Sequence, residues 1–182
     1  MQIPKKPRYE YAKHVGRDFI KSLHIHSYPI DPIDIIYRMD WRLEIDDLCG
    51  EEGYTFYNTR NKQYCIVIDN GQNVSKQRCK FTIAHEIGHI LMKHYTTFAR
   101  NTLDDHAYRV LDIEANVVAG ELLMPYLSIH KNPDKSIDFL AQKYDVSYGA
   151  MVTRLKFLGL HHLYEGTNDT SVACEHISSY HT

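Results

Sequence analysis

His85, Glu86 and His89 form an H-E-x-x-H. On an α-helix, residues i and i+4 lie one turn apart on the same face. Two imidazoles so placed can hold one zinc ion with bonds of about 2.0–2.1 Å. Glu86 falls at the edge of that face, where its carboxylate serves better as a base toward water than as a third ligand. Two nitrogen ligands, a base and an open coordination position are the parts of a metallohydrolase. A chain with 12 His would produce the pattern by chance about 0.04 times, and its surroundings lower that risk. Ile83, Ala84, Ile87, Ile90 and Leu91 make the helix apolar nearly all round, so it should be buried. Two His and a Glu inside a buried helix are costly unless something satisfies them. Gly88, in mid-helix, costs about 1 kcal/mol against Ala and suggests close approach by another element. The competing reading is a core helix whose histidines are merely hydrogen-bonded.

A hydrolytic zinc needs a third protein ligand. Downstream candidates are His94, Asp104, Asp105, His106, Asp112, Glu114 and Glu121. The continuation H-E-x-x-H-x-x-G-x-x-H is excluded, because Met92 and Tyr95 occupy the Gly and His positions. Glu114 fits best, in the middle of the apolar stretch Val110–Met124, where an unpaired charge is hardest to keep. Glu121, seven residues on and on the same face, is its main competitor. An oxyanion-stabilising side chain is also needed. His94, Tyr95 and His106 are the candidates, each weighed against a packing or surface role.

Around this site the chain has 182 residues, 43% of them apolar, enough for one domain with a real core plus a small appendage. The net charge of −2 and the lack of a basic run do not point to nucleic acid or an anionic membrane. No apolar stretch approaches the ~20 residues of a membrane span, and the N-terminus lacks a signal-peptide core. Cys49, Cys65, Cys79 and Cys174 form no CxxC and read as reduced thiols, so a cytoplasmic protein is expected.

The elements that must position the site follow in order. Tyr9–His24 reads as an amphipathic helix, and Asp31-Pro32 starts a second that ends near Asp40. Trp41–Ile45, Tyr54–Tyr57 and Tyr64–Ile68 read as a small antiparallel sheet, with Cys65–Ile68 the strongest strand. The motif helix follows the polar connection Asp69–Lys76. A second buried helix, Val110–Met124, is stopped by Pro125. Ile137–Leu158 has helix-turn-helix spacing, with Ser147 as N-cap of its second helix. Its mild positive charge favours a helical subdomain packed on the rest over a DNA-contacting one. From Glu165 the chain is aperiodic and expected to be a disordered tail.

The pair RCKFTIAHEIGHIL and IEANVVAGELLMP resembles the signature of the ImmA/IrrE metallopeptidase family, R-F-T-x-A-H-E-x-G-H with E-x-E-A-N-x-F-A-x-x-L-L-M-P. The likeness covers roughly residues 9–160 and is specific in the two motifs. Lys80 stands before Phe81 where Arg is frequent, and Val118-Ala119-Gly120 replaces F-A-A. The resemblance implies an α+β minimal zincin: N-terminal helices, a small antiparallel sheet, the zinc helix, a second ligand helix and helix-turn-helix-like C-terminal helices. The expected division is a peptidase domain at 1–130, a helical subdomain at 131–164 and a tail at 165–182. The resemblance implies one zinc per chain on His85, His89 and Glu114, with Glu86 as base. In other enzymes of this architecture the substrate lies along an edge strand beside the zinc helix, here expected at Cys65–Ile68 by strand addition. The implied activity is narrow endopeptidase cleavage of a helix-turn-helix repressor of a mobile element or stress operon. Direct DNA binding is disfavoured. The rival is a non-catalytic regulator that keeps the zincin fold and acts by contacting a repressor or DNA.

Overall fold

Helix α3 (Lys76–Leu91), which carries the H-E-x-x-H, lies between a sheet and a second long helix, α5 (Asp105–Leu123). The computed structural model describes residues 4–71, 74–97, 103–133 and 135–164; the expected tail at 165–182 lies outside them. Ser75 caps α3 by accepting from the Arg78 N–H, and Asp104 caps α5 by accepting from the Ala107 N–H. Gly88 is where the two helices cross. A Cβ added there would lie 2.7 Å from the Ala115 carbonyl oxygen, so this is the close approach that a mid-helix glycine suggests.

Helix α1 (Tyr9–Ser22) buries Ala12, Gly16 and Ile20 and packs along α5. Helix α2 (Pro32–Arg38) starts as expected, with Asp31 accepting from the Ile33 N–H and Pro at the first position. The strands are β1 (Arg42–Asp46), β2 (Gly53–Asn58) and β3 (Gln63–Asp69). Their spatial order is β1-β3-β2. β2 and β3 form an antiparallel hairpin, with Thr55 opposite Ile66, but β1 runs parallel to β3, with Leu43 opposite Ile66. The sheet is therefore mixed, not antiparallel. The reason is β3 itself: Cys65–Ile68 are all buried, and a continuous apolar run takes a central position with a neighbour on each side. The hairpin supplies one neighbour, and β1, arriving from α2, takes the other edge.

The short helix α4 (His94–Thr97) lies between α3 and α5, and after α5 come α6 (Tyr126–His130), α7 (Ile137–Tyr144) and α8 (Tyr148–Phe157). Ser136 and Ser147 cap α7 and α8, and Asp145, at φ 51°, ends α7 in the left-handed region. The buried residues form two clusters. One joins α1, α2, the sheet, α3 and the Val117–Leu122 part of α5. The other joins Ala84, Ala119, Leu123 and Met124 to Ile129, Leu140, Tyr144, Met151 and Leu155. Because α3 and α5 contribute to both, the C-terminal helices are packed onto the helices that carry the motif. Among the described residues no helix is long and apolar enough to cross a membrane.

Candidate metal centre

The one-turn spacing on α3 brings His85 Nε2 and His89 Nε2 to 3.1 Å of each other. From α5, Asp112 Oδ1 lies 3.2 Å from the first and 3.6 Å from the second. Ligand atoms on a tetrahedral zinc, each at about 2.0–2.1 Å, are about 3.3–3.4 Å apart. The three atoms thus form one face of a coordination tetrahedron, and the donor set, two imidazoles and a carboxylate, suits zinc. His85 Nδ1 donates to Asn116 Oδ1 at 2.9 Å, which leaves its Nε2 lone pair toward the triangle. His89 Nδ1 is 2.9 Å from His94 Nδ1.

The electrostatics of His89 agree with this donor role. Burial, reinforced by the charges of His85 and His94 and opposed by Asp112, pushes the His89 imidazole down to about 3. It is neutral at pH 7, as a ligand must be. Burial would lower His85 too, but its hydrogen bond to Asp112 and the charge of Glu86 outweigh this and raise it. Burial would raise Asp112, and its hydrogen bonds to the two histidines hold it well below the usual carboxylate range instead. Glu86 is buried beside the triangle and borders the same cleft as His85 and Asp112. Gly53 begins β2 directly over it: an added Cβ would lie 3.0 Å from Thr82 Cγ2 and 3.6 Å from Glu86 Cγ.

The cleft, of about 1360 Å³, runs from Glu52 and Gly53 across Thr82, Glu86, His85 and Asp112 to Ala150, Thr153 and Phe157. One wall is therefore the edge of the sheet and the other is α8. Helix α8 is held there by Arg154, which donates from Nε to the Met124 carbonyl at 3.0 Å and pairs with Glu121 at 2.8 Å. Lys80 on α3 pairs with Asp145 at the α7–α8 turn.

The other sequence candidates are placed elsewhere. Glu114 is not in the His85–His89–Asp112 group. Its Oε1 accepts from the Arg8 backbone N–H at 2.7 Å and from Arg8 Nε at 2.8 Å; its Oε2 meets Arg8 Nη2 at 2.6 Å and His94 Nε2 at 3.1 Å. Burial would raise its pKa, but Arg8 and His94 bring it down to about 2. Glu121 is bound by Arg17 and Arg154. His94 is fully buried behind His89, the Tyr95 ring stacks on His89 with centroids 4.8 Å apart, and His106 bonds the Lys5 carbonyl. None of these three borders the cleft, whereas Tyr108, one turn before Asp112, does.

Asp112 and Asn116 were legible as a pair. They sit i, i+4 on one face of α5, two residues from Glu114 and therefore on the opposite side of the helix from it. Ranking carboxylates by burial selects against such a residue. A catalytic metal keeps an open position, so its ligands border solvent, and the Asp112 side chain is 38% exposed where that of Glu114 is 0%.

Residues 38–156 match the family model of the IrrE N-terminal-like domain, Peptidase_M78. A solved structure described as a Mycobacterium tuberculosis transcriptional regulator shares the fold at a TM-score of 0.59 and 16% identity. The match covers 81% of this chain and 46% of that one, so this chain spans less than half of its length. No curated protein matches the chain.

Proposed function

The chain belongs to the IrrE N-terminal-like domain family, and on that premise we propose a zinc-dependent endopeptidase in which His85, His89 and Asp112 hold the metal and Glu86 is the general base. The observation that carries this is the 3.1–3.6 Å triangle of two imidazole nitrogens and one carboxylate oxygen, with a buried glutamate beside it at the floor of an open cleft. The chemistry a bound zinc supplies is Lewis acidity, which polarises a carbonyl and lowers the pKa of water toward about 7. Glu86 takes the proton of the attacking water and passes it to the leaving amine.

The substrate strand pairs with β2. The earlier expectation of Cys65–Ile68 fails because β3 is central and hydrogen-bonded on both sides. β2 pairs with β3 alone among the described residues, and its Gly53 end lies against Glu86. A peptide added along it passes the base and continues toward α8. Because α8 borders that path, its Ala150, Thr153 and Phe157 read substrate side chains, and a DNA role for this helix is disfavoured. A cytoplasmic repressor with a helix-turn-helix as the protein substrate rests on the family resemblance and on the fold shared with a transcriptional regulator.

That shared fold also supports the rival reading, a regulator that binds without cutting. Glu86→Gln separates the two, since it keeps size and hydrogen bonding but removes the proton acceptor. Co-expressed with a candidate helix-turn-helix repressor that the wild type cleaves, the variant is expected to bind zinc and the repressor yet lose cleavage by at least ~10²-fold. Relief of repression equal to wild type would leave contact alone as the mechanism.

A further inference from the structure

The strongest unexplained feature is a line of buried polar groups behind the metal triangle. Glu114, His94 and His89 are 0, 0 and 2% exposed. Glu114 Oε2 lies 3.1 Å from His94 Nε2, and His94 Nδ1 lies 2.9 Å from His89 Nδ1. Beyond that, His89 Nε2 faces the triangle. Three groups in series transmit a direction. A carboxylate only accepts, so the His94 proton must sit on Nε2. With that proton on Nε2 the His94 ring presents the lone pair of Nδ1, and the short Nδ1–Nδ1 contact is satisfied when His89 carries its proton on Nδ1. His89 Nε2 is left with the lone pair a metal requires.

We infer that Glu114 and His94 are positioning residues that act through this relay to fix the tautomer of His89, with Arg8 anchoring the carboxylate. The inference rests on the proposed metal centre, but its first consequence exists without any metal. Arg8 gives Glu114 three donors, two of them to Oε1, so the carboxylate cannot swing toward the triangle without stripping a buried ion pair. Asn116 does for His85 what His94 does for His89. The polar residues of Asp112-Ile113-Glu114-Ala115-Asn116 thus divide three tasks: Asp112 ligates, Asn116 orients one histidine and Glu114 orients the other through His94.

The isosteric variant Glu114→Gln gives the sharpest test. Arg8 keeps the glutamine oxygen, so the amide NH2 faces His94 and reverses the relay: His94 takes its proton on Nδ1 and His89 on Nε2. Long-range ¹H–¹⁵N NMR of the metal-free, ¹⁵N-histidine-labelled protein reads this directly. The expected result is an Nδ1–H His89 in the wild type and an Nε2–H His89 in Glu114→Gln. Zinc affinity by chelator competition should fall by about 10–100-fold. His94→Phe removes the acceptor and should give the same loss of affinity with a mixed His89 tautomer. An Nε2–H His89 in the wild type, or unchanged tautomer and affinity in both variants, would overturn the relay. Failure of the metal centre itself looks different: the wild-type tautomer would stand as expected while no zinc bound. Dispersed spectra for either variant suffice, so one misfolded variant leaves the other decisive.

Discussion

Glu114 and Glu121 are seven residues apart on α5, on one face, and both fully buried. Each accepts an ion pair from an arginine of the N-terminal segment, Arg8 and Arg17, nine positions apart. What lies on the other side of each carboxylate separates them. Behind Glu114 is His94, and through it the metal triangle. Behind Glu121 is Arg154, and through it α8, the far wall of the cleft. Gly16 and Gly120 make room for the second arrangement: an added Cβ would lie 2.8 Å from Glu121 Cβ at the first and 3.1 Å from Arg154 Nη1 at the second. Near-identical burial and charge thus back the His85–His89–Asp112 group in one case and a helix joint in the other. A buried carboxylate shows that something must compensate it; its partners show what it is for.

The two ends should therefore break in different ways. Removing one member of a buried pair costs about 3–5 kcal/mol when the other charge is left uncompensated; Arg17 still holds Glu121, so the low end, about 3 kcal/mol, applies to its partner Arg154. Arg154→Ala is expected to lose that much stability in chemical denaturation while keeping full zinc occupancy at saturating metal. A parallel loss of zinc would mean that the two ends are not separable. A smaller effect is expected at the crossing they share. Gly88→Ala sets a methyl 2.7 Å from the Ala115 carbonyl, and overpacking of this kind costs about 1–3 kcal/mol. Since the crossing sets the distance from His85 and His89 to Asp112, zinc affinity should fall with stability. Stability loss with unchanged affinity would count against the triangle.

The smallest effect concerns the Lys80–Asp145 pair between α3 and the α7–α8 turn. Its hydrogen bond from Lys80 holds the Asp145 carboxyl below its usual range, against a lesser opposing effect of burial. The stabilisation is then present above pH ~4 and is lost as pH falls from about 4 through the depressed native pKa. Because the pair is partly exposed, it contributes only about 0.5–1 kcal/mol. Lys80→Met should be less stable than wild type by that amount at pH 6, and the gap should close by pH 2. A gap that persisted at pH 2 would assign the loss to packing of the lysine stem.

Much of this was legible in the sequence because it is local. Asp31-Pro32 and Ser147 start helices by capping rules that need only neighbours. Gly88 announced a crossing without naming its partner. The parallel placement of β1 was hidden because it depends on which edge of β3 remained after the hairpin closed. The place of Glu114 is set by its contacts with Arg8, a residue 106 positions away in a polar segment. Nothing in the composition of residues 4–8 signals that its backbone N–H and its guanidinium both close on α5. Asp112, which the fold groups with His85 and His89, was among the candidates, but burial, the criterion used to rank them, favours a residue behind that group over one that faces the cleft.

The central claim is that the metal face is His85, His89 and Asp112, with Glu114 behind it. Elemental analysis after equilibration with saturating zinc and removal of excess tests it most directly, on wild type, Asp112→Ala and Glu114→Gln side by side. One zinc per chain is expected in the wild type and in Glu114→Gln, and loss of most of it in Asp112→Ala. Full occupancy in Asp112→Ala together with an empty Glu114→Gln would contradict it and return Glu114 to the metal.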